Sequence, residues 1–277
     1  MIRTAIQLKA KVRNLSGGDN EKALMLIRNF LMERFLERVA LSKYRNNFIL
    51  KGGMLVSSMV GLNTRATMDI DTTVRALSIS KENAEKVINE IIAVEIPDGI
   101  HFSITRVTDI MEEHDYPGIR FLMEAKLDKM QQSIKVDIST NDVITPGAIE
   151  YDYPLMFEDR SLSLWSYNLE TLLGEKLETI MVRGTANTRM RDFYDIHILS
   201  MRKSINQEIL KAAFMATCEK RKSNIQIPDL QMIIRTIETD EVMQARWNNY
   251  RAESFYVGNV IWSDIMMSVK NLAEKII

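Results

Sequence analysis

The sequence is short of several things, and each shortage closes a class of function. It has one cysteine, Cys218, in 277 residues. A single thiol excludes an intrachain disulfide and any cysteine-rich zinc site. Cys218 lies in the apolar-periodic run A-A-F-M-A-T-C-E-K-R, where packing is the expected role. The three histidines, His101, His114 and His197, are scattered without metal-ligand spacing. With only 5 prolines and 11 glycines, no low-complexity linker announces itself. No apolar run approaches the roughly 18–20 residues of a membrane span. The N-terminal M-I-R-T-A-I-Q-L-K-A-K-V-R is broken by charges and lacks a signal-peptide core. The expectation is a protein of the reduced cytoplasm with no membrane partner. Neither charge sign dominates: 36 Lys+Arg face 37 Asp+Glu, a net charge of -1. That removes a global attraction to nucleic acid and leaves a local basic groove open. No G-x-S-x-G, P-loop or G-x-G-x-x-G is present.

What remains is an ordinary globular composition, 46% apolar and 26% charged, long enough for one large or two modest domains. Residues 20 to 41 carry apolar side chains at helical spacing without a breaker and predict a helix. Phe48 to Leu50 predict a short strand, Met54 to Val60 a short helix, and Met68 to Val74 a strand. Residues 80 to 94 predict a helix, and 101 to 107, 118 to 127 and 132 to 140 predict strands. The connection Asp109 to Asp115 is acidic. From about residue 168 everything reads as helix: 168 to 184, 191 to 201, 206 to 221, 228 to 243 and 256 to 275. The pattern predicts an α+β fold, a mixed sheet domain over 1–155 with a helical domain over 156–277 packed against it.

Several residues in this frame carry chemistry. Gly52-Gly53 lies between strand and helix, where free backbone N–H groups meet a positive helix terminus. A tight turn and an anion cradle both fit. Asp69 and Asp71 are two apart on a strand, so they share a face and repel. A solvated edge, or a shared Mg²⁺, would relieve them. Asp137 sits between β-branched Val136 and Ile138, on a solvated face or in a site. If its strand lies beside that of Asp69 and Asp71, three acids converge as metal-assisted phosphoryl or nucleotidyl transfer requires. Lys176 and Arg183, two turns apart, could track phosphates or form a plain charged face with Glu175 and Glu178. Asp192 and Asp195 share a face of the next helix, near Arg189 and Arg191.

Five stretches in order resemble one family: F-I-L-K-G-G (48–53), M-D-I-D (68–71), K-V-D-I-S (135–139), L-E-T-L-L-G-E-K-L-E-T-I-M-V-R-G (169–184) and R-D-F-Y-D-I-H-I-L (191–199). Together they resemble the AbiEii/AbiGii toxins, nucleotidyltransferase-fold proteins of bacterial toxin–antitoxin and abortive infection systems. The resemblance spans about residues 20 to 200; the last third matches only in being helical. It implies a polymerase-β-like fold and an Mg²⁺-dependent nucleotidyltransferase that uses a nucleoside triphosphate. It implies an RNA acceptor, the 3′ end of tRNA in some members, and a cognate antitoxin protein. Position by position, it implies that Gly52 and Gly53 receive the nucleotide phosphates and that Asp69 and Asp71 bind the metal, with Asp137 as third acid. Lys176 is then expected at the triphosphate, and Asp192 with Asp195 at the motif that closes the site. Many nucleotidyltransferases place Ser or Thr directly after the glycines, and here Met54 stands there. Ser57 and Ser58 follow within a turn as substitute hydroxyls, and Arg65 precedes the acids as a phosphate contact. Two further functions share these residues. One is nucleotidylation of a small hydroxylated molecule such as an antibiotic, which the acidic Asp109–Asp115 connection would suit. The other is non-catalytic nucleotide binding as a partner protein.

Overall fold

A computed structural model describes residues 1–77, 80–110 and 118–277. His114 and the acidic connection from residue 111 onward lie outside the described residues. Two compact units divide the chain. The first takes Met1–Ser58, Ala66–Asp142 and Ile149–Ser166; the second takes Met59–Arg65, Val143–Ala148 and Tyr167–Ile277.

The first unit is built on seven described strands: β1 (Phe48–Lys51), β2 (Asp69–Val74), β3 (Ile100–Ile110), β4 (Gly118–Leu127), β5 (Met130–Thr140), β6 (Ile149–Pro154) and β7 (Ser161–Ser166). They form one mixed sheet in the order β3-β4-β5-β2-β1-β7-β6. β2 pairs parallel with β5, and β1 parallel with β7; the other neighbours are antiparallel. Four helices belong to this half of the sequence: α1 (Ala5–Ser16), α2 (Asn20–Leu41), α3 (Gly52–Val60) and α4 (Lys81–Ile92). Asp19 caps α2 by accepting the Lys22 N–H at 3.0 Å. α2 packs on β5 and β7, and α4 packs on β3. Phe30, Leu31, Met32, Phe35, Leu36 and Val39 are all buried along α2. Each contributes about 1.5–3 kcal/mol of transfer free energy. Phe35 meets Phe102 edge to face at 6.1 Å, so Phe35→Ala would cost about 3–5 kcal/mol.

α2 also buries ionisable side chains, and they are met in two ways. Arg38 makes a two-pronged pair with Asp98 at 2.8 and 3.0 Å and donates to Ile100 O at 2.9 Å. Glu33 accepts from the Met156 N–H at 3.2 Å and from Asn29 Nδ2 at 2.9 Å. Neutral donors do not offset the loss of water around a buried carboxylate. Burial therefore pushes Glu33 up to about 8, against the lowering pull of the Met156 N–H and Arg34.

The second unit is helical: α5 (Leu169–Arg183), α6 (Met190–Arg202), α7 (Gln207–Arg221), α8 (Leu230–Thr239), α9 (Glu241–Glu253) and α10 (Trp262–Glu274). Asn168 caps α5 through Thr171 N–H at 2.7 Å. α5 packs on α7, and α10 on α6 and α8. At Gly174 a Cβ would come 3.0 Å from the Phe214 backbone nitrogen, so α5 and α7 approach closely because that residue has no side chain. Cys218 is buried in α7, and burial pushes its thiol up to about 12, which fits a packing role.

Three local differences from the sequence pattern have simple causes. β6 and β7 add a hairpin to the sheet where no strand was expected. β6, at the sheet edge, is mostly exposed and shows little apolar alternation, whereas S-L-S-L in β7 does alternate and was overlooked. The single helix expected over 228 to 243 is two, because Asp240 turns extended and caps α9 through the Met243 N–H at 2.8 Å. The charged N-terminal segment forms α1, capped by Thr4 and ended by Gly17 at φ 62°.

Candidate active site

The site begins with strand register. Alternation on β2 buries Ile70 and leaves Asp69 and Asp71 half-buried on the other face. Alternation on β5 does the same for Val136 and Ile138 against Lys135 and Asp137. Parallel pairing sets Asp69 opposite Lys135 and Asp71 opposite Asp137. Antiparallel pairing on either side sets Lys51 opposite Asp71 and Arg120 opposite Asp137. One row across four strands thus reads Arg120, Asp137, Asp71, Lys51: two acids flanked by two cations. Ligand oxygens of Asp69, Asp71 and Asp137 all lie within 4.8 Å of one another.

The electrostatics follow from that row. Asp71 is pushed up to about 6, first by burial and then by the charges of Asp69 and Asp137. Lys51 and the Gly53 N–H pull the other way without prevailing. Lys51 itself lies 2.5 Å from Asp142 Oδ2, which also accepts from Ser139 Oγ at 2.9 Å. Arg120 grips both oxygens of Asp137, with Nε to Oδ1 at 2.9 Å and Nη2 to Oδ2 at 2.8 Å. Lys135 Nζ lies 2.5 Å from Asp69 Oδ2, and Thr67 Oγ1 donates to Asp69 Oδ1 at 3.2 Å.

The glycine turn meets this cluster. Gly52 has φ 66°, and a Cβ there would lie 2.1 Å from Asp71 Oδ2. Both the backbone conformation and the space demand glycine. The Gly53 N–H donates to Asp71 Oδ2 at 3.4 Å, so the start of α3 faces a carboxylate of the protein itself. Met54 points into the core and is fully buried. Ser57 is also buried, and its hydroxyl donates to Gly53 O at 2.8 Å. Ser58 Oγ donates to Leu55 O at 2.7 Å and lies 3.0 Å from the Tyr151 hydroxyl.

In the second unit, Lys176, Asp192, Asp195 and Arg65 form a second charged group. Lys176 Nζ lies 2.7 Å from Asp192 Oδ1 and 2.7 Å from Asp195 Oδ2. Arg65 Nε lies 2.6 Å from Asp195 Oδ1, and Arg189 Nε 2.7 Å from Asp192 Oδ2. Burial alone would raise both acids. Lys176 and Arg189 instead hold Asp192 at about 2, and Arg65 and Lys176 hold Asp195 below the usual carboxylate range.

The sequence matches the family described as "Nucleotidyl transferase AbiEii toxin, Type IV TA system" over residues 34–262. The chain belongs to this AbiEii family. Its fold is that of nucleotidyltransferases. JHP933 from Helicobacter pylori has TM-score 0.55 and 15% identity, covering 91% of this chain and 91% of its own. A candidate nucleotidyltransferase from H. pylori has TM-score 0.53 and 16% identity, covering 91% of this chain and 94% of its own. At these identities the likeness is one of fold. Among curated proteins none matches.

An AbiEii nucleotidyltransferase implies a nucleoside triphosphate substrate, an antitoxin partner and a divalent metal. The donor set fits such a metal. Three carboxylates offer hard oxygen ligands in reach of one another, and the anion of Asp71 is disfavoured until a cation arrives. Among the described residues, no helix is long and apolar enough to cross a membrane. Sequence reasoning overlooked Lys51, Arg120 and Lys135. Lys51 and Lys135 stand inside stretches that carried the resemblance, and alternation could have put Lys135 on the face of Asp137. Arg120 has no local signal, because only the β4–β5 register sets it opposite Asp137.

Proposed function

We propose that this AbiEii-family chain is an Mg²⁺-dependent toxin that transfers a nucleotidyl group from a nucleoside triphosphate to an RNA hydroxyl, the 3′ end of tRNA in particular. One observation carries the reading: the oxygens of Asp69, Asp71 and Asp137 converge within 4.8 Å on one sheet face. Asp69 and Asp71 would hold the ion, with Asp137 as third acid. When bound, the ion would neutralise phosphate charge and polarise the phosphoryl oxygens. The acceptor oxygen bonds to the α-phosphorus, the bond to the β-phosphate oxygen breaks, and pyrophosphate leaves with that electron pair. Asp137, which Arg120 holds on both oxygens, would take the acceptor proton.

The remaining roles belong to the same proposal. Gly52 and Gly53 would line the nucleotide phosphates, with Ser57, buried and donating to Gly53 O, steadying the turn from behind. Lys176 would offset the departing pyrophosphate, with Asp192, Asp195 and Arg65 beside it. A cognate antitoxin, in a toxin–antitoxin or abortive infection system, would hold the activity in check.

The test is purified protein with each labelled nucleoside triphosphate, Mg²⁺ and total tRNA. The label should move into RNA with one triphosphate and not with Asp69→Asn/Asp71→Asn. No transfer with any triphosphate, or equal transfer by the double variant, would sink the reading. Label on a small hydroxylated acceptor instead of RNA would replace the acceptor and keep the chemistry.

A further inference from the structure

Lys135 supplies a cation where the acids need one, and it is part of the protein. It stands opposite Asp69 in the β2–β5 register and two residues before Asp137 on the same face. Its ammonium lies 2.5 Å from Asp69 Oδ2 and 3.8 Å from Asp137 Oδ2. Arg120 engages Asp137 on both oxygens, so the tight contact of Lys135 is with Asp69. The Lys135 side chain keeps 29% of its surface exposed and hangs on a flexible stem. Arg120 is a planar fork in a two-pronged pair, whereas Lys135 is a point charge that can swing away.

We infer that Lys135 is an internal counter-ion that a divalent cation must displace from Asp69, and that the displaced ammonium is received by a phosphate of the nucleotide. The inference rests on the metal-site reading proposed above and deepens it. An ammonium 2.5 Å from Asp69 Oδ2 repels a metal ion arriving at that oxygen, so an ion entering alone loses the Lys135–Asp69 attraction and displaces an ammonium with no new anion to meet it. An ion entering with a polyphosphate leaves no such orphan, because the phosphate oxygens accept the ammonium. The site then loads metal and nucleotide together and stays closed to metal alone. Lys135 is a positioning residue in this account.

The experiment measures binding, with no turnover. Mn²⁺ alone is titrated into wild type, Lys135→Gln, Lys135→Arg and Asp69→Asn/Asp71→Asn, with the free ion followed by electron paramagnetic resonance. In parallel, Mg²⁺ with inorganic tripolyphosphate is titrated by calorimetry. Removing the competing charge in Lys135→Gln should tighten Mn²⁺ alone about tenfold and weaken Mg²⁺–tripolyphosphate about tenfold, a trade of one charge contact for another. Lys135→Arg, which keeps the charge, should stay near wild type in the Mn²⁺ arm. A purely structural cross-strand pair would move both affinities together or neither. Equal Mn²⁺ affinity in wild type and Lys135→Gln, with the Asp69→Asn/Asp71→Asn variant silent, overturns the inference and leaves the metal site standing. Mn²⁺ binding by none of the proteins overturns the metal-site reading and the inference with it.

Discussion

The two units each gather aspartates, lysines and arginines, and they do opposite things with them. In the first unit three acids face one another, and Asp71 is pushed up to about 6 by burial and by its neighbours' charge. In the second unit the acids are set deeper still, yet Asp192 is held at about 2 because Lys176 and Arg189 lie against it. Burial alone therefore does not decide whether an acid is pushed up or held down. What matters is whether the protein itself supplies a cation to each acid. The second group is closed by its own counter-charges. The first is closed on Asp137 by Arg120 and on Asp69 by the more mobile Lys135, while Asp71 meets the pull of Lys51 and one long N–H contact.

That contrast can be broken experimentally. Asp69→Asn/Asp71→Asn should abolish nucleotidyl transfer by at least about a thousandfold while leaving the melting temperature unchanged or raised, since it removes repulsion as well as the metal ligands. Asp195→Ala should do the reverse in stability. It removes the carboxylate that buried Arg65 and Lys176 share and should cost about 3–5 kcal/mol in denaturant unfolding. A stable Asp195→Ala, or a strongly destabilised triad variant, would erase the distinction between the two groups.

Two further effects sharpen it. Gly52→Ala would impose strain at φ 66° and push on the Asp71 carboxylate, at a cost of about 1–3 kcal/mol with metal affinity falling alongside. Loss of stability with Mn²⁺ affinity intact would separate the turn from the acids. Glu33 is the third kind of buried acid, met chiefly by neutral donors. Its folded pKa lies near 8 against 4.5 for an ordinary glutamate, so its contribution to stability is present below 4.5 and lost as pH rises through about 8. Glu33→Gln should flatten that decline, by about 1.4 kcal/mol for each pH unit between 5 and 8, read from urea midpoints at each pH. A decline of the same slope in the variant would assign it to other groups.

Much of this was legible without coordinates. Helical spacing marked residues 20 to 41, and α2 runs from Asn20 to Leu41. Strand spacing put Asp69 and Asp71 on one face, and β2 places them there. The order of five short stretches pointed to the family that the match over residues 34–262 shows. The β6–β7 hairpin escaped notice because its edge strand β6 buries Tyr153 alone and carries little apolar pattern. The pairing of Arg65 with Asp195, 130 positions apart in the chain, escaped because nothing local marks it.

The sequence by itself determined which residues form strands and helices and which face of each strand carries acid, because those depend on periods of two and 3.6 residues. Only the tertiary structure decided what each acid meets. β2 and β5 are joined through two other strands and a helix, and the parallel register between them is set by long-range packing. A slip of one residue would send Asp137 and Lys135 to the opposite face. The observed register instead brings Asp137 beside Asp71 and Lys135 beside Asp69, turning two like charges on a strand into a site with a counter-ion of its own.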